Sequence, residues 1–540
     1  MNNVFPFRSI ISVITALGLM LGLAGCGGSS QATKGNVLHF ANGTEPSDLD
    51  PQTVTGRPES NIIRSLMQGL VTPDPKTLKP MPGQAESWEV SDDGTVYTFK
   101  IRSNAKWSNG DAVTAHDFVR SFQRMLTPSL ASEYAYQLHL LKNGEAYNTG
   151  KLTDFSEVGA KALDDLTLEL TLDHPTGYFL DVLHHQSWKP VHIPTVEKFG
   201  GLDRKGSRWT RPENYVGNGP FILSEWSPNQ HILVKRSPTY WDAANVKLDG
   251  VKYYPIENSD TEERMFRTGQ LDVTRQLPLN KIDEYRTNRQ DVLHVDDFLA
   301  AAYFRVNVTR PQLQDARVRR AIALALDREG LAREIFRRTK TPAWHFAPAM
   351  PGFTPPNTFE DNIAKAQALL AEAGFPGGEG LAPIEILYPT SDSGRIVCEA
   401  LQAMLITNLG IDVKLYNQEF KVYLETMQQR NYDMAWSAWV GDYPDPMTFL
   451  DMNVTDGGNN RTGWSNARYD QLVDDVQAVR DSAQRAEVFY EMERILGEEA
   501  PVIPLYFYTS VYAKSAEVKG WYPTLLDIHP FQHIWLERAE

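Results

Sequence analysis

Over the first 300 residues, short runs of alternating apolar and polar positions predict many strands separated by short helices. Leucines at positions 166, 168, 170 and 172 alternate with polar residues, as in a strand buried on one face. A run ending at Val90, the turn DDG at 92–94 and a second alternating run from Tyr97 predict a hairpin. Thr114 is a suitable N-cap for the helix that follows.

Beyond residue 300 the pattern changes to longer helices that alternate with strands. Asp315 is predicted to cap one helix, either Asp361 or Asn362 another, and Gly410 to end the helix over 396–409. This alternation is typical of an α/β lobe. The chain is therefore predicted to be α/β overall, with mixed α+β character in its first part.

The stretch 434–440 alternates like a strand, but both of its faces carry apolar residues, so neither is clearly the solvent side. Gly441 follows it, and Asp442 comes next, beside Tyr443 and two prolines. A carboxylate just past such a strand occupies the edge where open α/β sheets present ligand groups. The alternative is that Asp442 only begins a turn before Pro444, and the local sequence leaves both interpretations open.

Composition narrows the class of protein. A chain of 540 residues is too long for one core, so two or three domains are expected. The net charge of -15 argues against nucleic acid as a partner. Aromatic residues are abundant, with Trp 12, Tyr 22 and Phe 23, and many of them need burial or a ligand to stack on.

The N-terminus is typical of an export signal. Arg8 precedes the apolar run 10–23, which ends in the sequence LAGC at Cys26. This sequence resembles a bacterial lipobox, which implies a signal peptide over 1–25 and a diacylglycerol on the Cys26 sulfur; a plain secretory signal is the alternative. Residues 26–35 are then a flexible lipid-anchored linker. The second cysteine, Cys398, is expected to be a buried, inert thiol.

Several motifs occur together in a specific order: EPSDLDP at 45–51, RPESN at 57–61, GQAESWEVSDDGTVYTFKIRSNAKWSNGDAVTAHDFVRSF at 83–122, NGPFILSEW at 218–226, DARVRRAIALALDRE at 315–329 and LLAEAGF at 369–375. With them the chain resembles, over nearly all of its mature length, the oligopeptide-binding proteins of the OppA type in Gram-negative bacteria. These are periplasmic members of solute-binding protein family 5, the receptors of ABC importers.

The resemblance implies a two-lobe clamshell of the periplasmic-binding-protein kind with an additional third domain. Lobe I would combine 36–67, 192–298 and 510–540, the extra domain II would be 68–191, and lobe II would be 299–509. The protein would act as a monomer without a cofactor, in the periplasm and anchored to a membrane by its lipid. It would enclose an oligopeptide between the lobes and deliver it to permease subunits that work with cytoplasmic ATPases.

The resemblance also implies a set of peptide-binding residues. Asp442 matches the aspartate that binds the peptide α-ammonium, and a charge pair of this kind fixes ligand register and direction. Pairing with the peptide backbone would give affinity without reading sequence. Backbone and aromatic positions complete the set: Ala438, Trp439, Val440, Gly441, Trp436, Tyr303, Phe420, Thr55, Gly56 and Arg57.

The chain departs from the family pattern in two respects. A disulfide common in the family falls on Ala300 and Val440 here. The family positions that bind the peptide C-terminus with cations, and an acidic position beside the ligand, match uncharged residues: Phe336, Gly394, Met427, Trp436 and, for the acidic position, Thr55. Nearby arginines could substitute: Arg337, Arg338, Arg395 and Arg430. We therefore expect the amino end to be recognised and the carboxylate end to be read differently, as for longer or murein-derived peptides.

Rival functions remain open at this point. The chain has no HExxH, GxSxG or Gly-rich phosphate loop, which argues against an enzyme, a hydrolase included. The pairs His184 with His185 and His529 with His533 lack a third ligand, so no metal site is expected. Receptors of the same fold take dipeptides, murein peptides, nickel chelates, haem or sugars, and a peptide chaperone or signalling receptor is a further alternative.

Overall fold

The computed structural model describes residues 35–538 with the exception of 480. The predicted signal peptide, Cys26 and all of the linker but Gly35 lie outside the described residues. The strands are β1 Val37–Ala41, β2 Val71–Pro73, β3 Pro80–Pro82, β4 Ala85–Val90, β5 Val96–Ile101, β6 Ala160–Asp164, β7 Thr167–Thr171, β8 Phe221–Ser227, β9 His231–Arg236, β10 Gly250–Tyr254, β11 Leu293–Val306, β12 Thr341–Pro342, β13 Ile384–Pro389, β14 Val413–Gln418, β15 Met434–Val440, β16 Val502–Ala513, β17 Val518–Lys519 and β18 Trp535–Leu536. The helices are α1 Arg57–Leu66, α2 Ala115–Leu126, α3 Gly144–Asn148, α4 Phe179–Val182, α5 Ile193–Lys198, α6 Ser259–Arg267, α7 Ile282–Asn288, α8 Ala316–Leu324, α9 Arg328–Gly330, α10 Ile363–Glu372, α11 Asp392–Leu409, α12 Phe420–Gln428, α13 Met447–Leu450, α14 Ala467–Ala478 and α15 Ser482–Glu499.

Two four-stranded sheets are built from the first 300 residues. One has the order β1-β10-β9-β8, with β1 parallel to β10 and the other pairs antiparallel. The other is the antiparallel sheet β4-β5-β7-β6, which contains the predicted hairpin. Phe99 and Leu168 face each other across β5 and β7 and are both fully buried. The one-face burial expected from the alternation is confirmed.

Helix α2 packs beside the second sheet and carries a buried charge pair. Thr114 caps it as predicted, in a capping box with Asp117. The guanidinium of Arg124, near the helix end, donates to both carboxylate oxygens of Asp50, at 2.6 and 3.1 Å, and to Gln52. Because Arg124 and Asp50 are almost fully buried, each neutralises a charge that would otherwise be costly to bury. The pair ties the loop after β1 to α2.

A mixed six-stranded sheet forms the centre of the second half, in the order β12-β16-β11-β15-β13-β14. Strand β13 runs parallel to β14 and β15, whereas β11 runs antiparallel to β15 and β16. One face of the sheet packs on α8, α10 and α11. On the opposite face, α12 covers Leu387 and Ala435. Together the sheets and helices confirm the mixed α/β class.

Strands β11 and β16 are the longest, with 14 and 12 residues. Their register shifts between Asp297 and Ala301. Before the shift, β11 pairs with the end of β16, and Lys514, just beyond that end, forms a bridge with Val273 beside β1. Two paired strands thus lead from the first sheet into the six-stranded sheet, close to the predicted crossing points. The domain boundaries themselves stay a prediction.

Local differences from the sequence prediction have simple causes. The sequence predicts a helix over 62–69, but α1 begins at Arg57, because Pro58 is well suited to the first turn. Asn362, not Asp361, caps α10, since Asp361 instead forms an ion pair with the buried Arg328. The expectation that β15 lacks a solvent side holds as far as Ser437 and is wrong beyond it, because Ala438 and Val440 are exposed.

Cys398 is fully buried on α11, and burial raises the pKa of its thiol to about 12, as expected for an inert cysteine. Gly410 ends α11 with a φ of 69°, the left-handed conformation that glycine tolerates best. Within the described chain, none of the helices has the length and apolar character needed to cross a bilayer.

Candidate functional site

Asp442 stands directly after β15, in a backbone position that is fixed on both sides. The Gly441 N–H donates to the Leu299 carbonyl at 2.8 Å, and the Asp442 N–H donates to the Thr448 hydroxyl at 3.0 Å. A Cβ on Gly441 would lie 2.6 Å from the Leu299 side chain, so the close approach requires glycine. The carboxylate that follows is therefore held in place by its backbone.

The Asp442 side chain lacks a counter-charge. In the part of the chain that the structure describes, its carboxylate forms no ion pair and no side-chain hydrogen bond. Burial alone raises its pKa to about 6. Its charge also raises the pKa of Asp451, which burial brings to about 7, and the pKa values of Tyr134 and Tyr136. A partly buried carboxylate among other acidic groups is suited to receive a cationic group.

Tyr134 and Tyr136 form a pair of rings close enough to Asp442 to respond to its charge. Their rings are 5.9 Å apart, and Tyr134 also meets His185 edge-on at 4.6 Å. Half of Tyr136 is exposed, at 50%, which is unusual for a ring of this size. Sequence reasoning missed both residues, because they lie in a 3₁₀ segment without periodicity; their spacing in the sequence EYAY was the one available signal.

The last residues of β15 have a free edge. Strand β13 pairs only with Met434 and Ala435, and the Tyr423 hydroxyl donates to the Trp436 carbonyl on the same side at 2.9 Å. Backbone groups two residues apart point the same way, so Ala438 and Val440 present N–H and C=O groups on this side. No described strand pairs with them there, although β11 pairs with their other edge. This edge can accept one more extended strand.

The aromatic candidates differ in their surroundings. Trp439 is partly buried and its indole N–H donates to the Thr448 carbonyl at 2.6 Å, so it shares a partner with Asp442. Trp436 packs on the face of the sheet that carries α8, α10 and α11.

The other two aromatic candidates differ in exposure. Phe420 is 57% exposed and stacks on Tyr423. Tyr303 is fully buried and meets Phe346 edge-on at 5.0 Å.

The predicted segment 55–57 lies at the start of helix α1. Thr55 is exposed, Gly56 precedes α1, and Arg57 forms an ion pair with Asp527. The Arg57 guanidinium also lies 4.9 Å from the centre of the Phe298 ring. In the described residues no hydrogen bond or ion pair joins 55–57 or Phe420 to Asp442. Their role in binding stays a prediction.

A cavity of about 320 Å³ lies beside Arg57, where β1 and β10 end. Its wall includes Asn42, Asn61, Arg64, Arg275, Trp521 and Asp527. Burial, together with the charge of Arg57, lowers the pKa of Arg64 to about 10. Arg64 also influences the pKa of Tyr134, as Asp442 does. The charges of both Arg64 and Asp442 thus act on Tyr134.

The four positions without a family cation are apolar in their packing as well. Phe336 packs on Tyr506 at 4.6 Å, Met427 is buried, and a Cβ on Gly394 would lie 3.1 Å from the Trp436 ring. Two of the substitute arginines are engaged by carboxylates, Arg337 by Asp283 and Arg395 by Glu399.

Ala300 and Val440, the positions to which the resemblance assigns a disulfide, are directly opposite each other on β11 and β15.

The histidine pairs have structural surroundings. Burial lowers the pKa values of His184 and His185 to about 3, with Arg64 adding to the effect. His529 stacks on Trp521 at 3.9 Å. In residues 35–538, apart from 480, no group of three His, Cys, Asp or Glu side chains is arranged to hold a metal ion.

Comparison with known proteins gives consistent matches. The family model described as bacterial extracellular solute-binding proteins, family 5 Middle, matches residues 79–461. The chain is 35% identical over 548 residues to the dipeptide-binding protein DppE of Bacillus subtilis, covering 97% of each chain. It is 36% identical over 506 residues to the periplasmic oligopeptide-binding protein OppA of Salmonella typhimurium, covering 92% of this chain and 91% of that one.

The fold is similar to that of a solved structure as well. The unliganded open form of MppA, a periplasmic murein tripeptide-binding protein, superimposes with a TM-score of 0.81 and 31% identity. The match covers 93% of this chain and 98% of the MppA chain. Sequence and structure therefore match this class of protein over almost the whole described length.

Proposed function

The chain belongs to family 5 of the bacterial extracellular solute-binding proteins, and from this premise we propose that it captures oligopeptides for an ABC importer. The peptide is enclosed between lobe I and lobe II and is handed to permease subunits that work with cytoplasmic ATPases. The diacylglycerol on Cys26 keeps the receptor at a membrane of the cell envelope. The protein binds its ligand without transforming it.

The observation that carries the proposal is that a strand edge with free backbone groups lies directly before a carboxylate that has no counter-charge in the described chain. Ala438 and Val440 offer backbone donors and acceptors to an extended chain, and Asp442 follows directly at the end of the same strand. An extended peptide that adds to this edge gains main-chain hydrogen bonds whatever its side chains are. Its α-ammonium then reaches Asp442, which sets the register and direction of the peptide.

The ligand class follows from the same geometry. A ligand with a free amino group and an extended amide backbone uses both features, whereas haem, a sugar or a nickel chelate uses neither. The names of the similar proteins, which bind dipeptides, oligopeptides and murein tripeptide, support a peptide. Because Phe336, Gly394, Met427 and Trp436 supply no cation, the C-terminal carboxylate is read differently than in relatives that use cations at these positions.

Calorimetry tests the role of Asp442 directly. We expect Asp442→Ala to weaken binding of a peptide with a free amino end by about 100-fold or more, because the charge pair is removed from a partly buried site. N-acetylation of the peptide should weaken binding to the original protein to a similar degree and have little further effect on the variant. Equal affinity of the variant and the original protein for the free peptide would refute the assignment.

Native mass spectrometry of the purified protein tests the ligand class. We expect masses of short peptides to be released when the protein is unfolded. Release of a non-peptide ligand in stoichiometric amount would refute the peptide assignment, whatever the role of Asp442.

A further inference from the structure

Two arginines on the Trp439 face of the six-stranded sheet lack an acidic partner. Arg305, on β11, is 4% exposed, and Arg461 follows in the loop after α13. Neither forms an ion pair with any Asp or Glu in the described chain. The buried Arg124 and Arg328, in contrast, are neutralised by Asp50 and Asp361. Arg319, also 4% exposed, forms no ion pair in the described chain either, but each of its guanidinium nitrogens donates to a backbone carbonyl. Among the deeply buried arginines of the described chain, Arg305 thus lacks both an acidic partner and a full set of hydrogen bonds.

Polar groups around these arginines remain unsatisfied. The Arg305 Nη1 donates to the Asn459 carbonyl at 2.7 Å, but its Nε–H is buried without an acceptor. The Arg461 Nε and the Tyr303 hydroxyl are likewise buried without a partner. Leaving such groups unpaired costs free energy, and a charged group costs more than a neutral one.

The unsatisfied groups share one location. Tyr303 and Arg305 are two residues apart on β11 and so lie on one face, with the guanidinium carbon 5.3 Å from the centre of the Tyr303 ring. Arg305 lowers the pKa of Arg461, and the charges of both arginines oppose the burial that raises the pKa of Tyr303. The Tyr432 hydroxyl donates to the Arg461 carbonyl at 2.7 Å and holds that loop against the sheet.

The location adjoins the free edge of β15. Ser437 is opposite Tyr303 in register, and its hydroxyl is 2.9 Å from that of Tyr423. Ala438 and Val440, which offer the free edge, come next on the same strand. A strand added to this edge would therefore run beside Ser437 and Tyr303, and one of its side chains would lie near the two guanidinium groups.

We propose that Arg305, Arg461 and the Tyr303 hydroxyl form an anion subsite of the binding cleft that takes a carboxylate of the bound peptide. The inference rests on the proposed function and specifies its ligand. Guanidinium groups hold carboxylates with short, charge-assisted hydrogen bonds, and the three unsatisfied donors become paired when one arrives. The carboxylate belongs either to an Asp or Glu side chain or to the peptide C-terminus, and both are one chemistry.

The subsite explains how an acidic protein can take acidic ligands. The chain carries a net charge of -15, which repels anionic peptides at long range. A local pair of cations in a partly dehydrated pocket offsets this repulsion at short range, where screening by salt is weak. The four positions that bind the peptide C-terminus in the family pattern are uncharged here, so Arg305 and Arg461 can bind that carboxylate instead.

Calorimetry with matched peptides tests the inference. The probes are tetra-alanine, its C-terminal amide, and versions with Glu or Gln at each position in turn. We expect the original protein to prefer Glu over Gln at one position, or the free acid over the amide, by about tenfold or more. The first result identifies a side-chain carboxylate and the second the C-terminus.

Two arginine variants and a control complete the design. In Arg305→Met and Arg461→Met the preference should fall to about twofold or less, because the affinity for the peptide with the carboxylate drops while that for the tetra-alanine amide, which has no carboxylate, changes much less. Arg468→Met should keep the preference, since Arg468 pairs with Glu491 on an exposed helix surface. Thermal unfolding of ligand-free Arg305→Met should occur at the same or a higher temperature, because an unpaired buried charge is removed; Arg461, which is less buried, provides the second variant if this one does not fold.

The outcomes separate the inference from the proposed function. If neutral peptides bind and no Glu or free-acid preference exists at any position, or if both arginine variants retain the preference, the anion subsite is refuted alone. If no peptide binds the original protein, the proposed function fails and the subsite fails with it.

Discussion

Tyr178 and Tyr443 stack face to face, with ring centres 4.4 Å apart and an angle of 6° between the rings. Tyr178 lies just before α4, and Tyr443 directly follows Asp442. Two residues further on, Asp445 binds Arg485 of α15, with Nη2 and Oδ1 at 3.0 Å. The turn that carries Asp442, the candidate partner of the peptide ammonium group, is thus packed from one side by the predicted domain II and held from the other by α15.

A double-mutant cycle measures how much the stacking of these two rings contributes to stability. We expect Tyr178→Ala and Tyr443→Ala each to lower the free energy of unfolding by about 3–5 kcal/mol, since both rings are buried. The coupling between them should be about 0.5–1.5 kcal/mol, measured by chemical denaturation. Tyr416→Ala, at an exposed ring, serves as the control. A coupling of zero would mean that the stack contributes no more than separate burial.

The stability of the ligand-free protein should depend on Asp442 and pH. Its pKa of about 6 in the folded state lies above the ordinary 3.8, so the folded protein binds the proton more tightly than the unfolded chain. The resulting stabilisation is fully present below pH 3.8 and is lost as the pH rises through about 6. We expect Asp442→Asn to raise the free energy of unfolding at pH 7.5 by about 1–2 kcal/mol after allowing for solvent screening.

This gain should shrink as the pH is lowered toward 4, because the Asp442 carboxyl of the folded protein then becomes protonated and its buried charge disappears. Thermal unfolding across the pH range measures it, with Asp291→Asn on the surface as the control. A gain that is independent of pH would contradict the assignment of the shift to the Asp442 charge.

Peptide affinity should fall in acid for the same reason. Only the ionised carboxylate pairs with an α-ammonium, so below pH 6 we expect the dissociation constant to rise by about tenfold per pH unit. Titration calorimetry between pH 4.5 and 8, two limits chosen about the Asp442 pKa of about 6, measures the slope. An N-acetylated peptide, which carries no ammonium, should show a flatter profile; the same slope for both peptides would point to another titrating group.

A disulfide should form between cysteines placed at positions 300 and 440. Ala300 and Val440 are register partners on antiparallel strands, and such partners have the Cα separation that a disulfide needs. In Ala300→Cys with Val440→Cys we expect spontaneous oxidation and a stability gain of about 2–4 kcal/mol that is lost with a reductant. The single variants are the controls, and mass spectrometry detects the bond. Failure to oxidise would indicate that the register differs.

Local signals predicted much of this architecture. The bounds of β15, the hairpin of β4 and β5, the caps at Thr114 and Asp315 and the end of α11 at Gly410 all follow from periodicity and from residues that act on their own neighbours. The choice between Asp361 and Asn362 did not, because a distant arginine, Arg328, engages one of them.

Fewer features of the candidate site could be predicted from local sequence signals. Asp442 was identified from its place after a strand, but the free edge of Ala438 and Val440 depends on how far β13 extends, which no local pattern states. Arg305 reads as an ordinary strand residue, and its lack of an acidic partner is a property of the whole fold. The influence of the Asp442 charge on Tyr134 and Tyr136 depends on the tertiary structure, since these residues are far from Asp442 in the chain.

The pairing of the long strands β11 and β16 affects how readily proteases outside the cytoplasm can cleave the protein. Proteases bind a segment of several residues in extended form with its backbone free, and therefore cut most readily at exposed, unpaired loops. The two strands that lead from one sheet to the other are paired with each other on both sides of the register shift at residues 297–301. We expect the segment that joins the two sheets to resist proteolysis with or without ligand. The ligand-free protein should therefore remain intact where proteases are present.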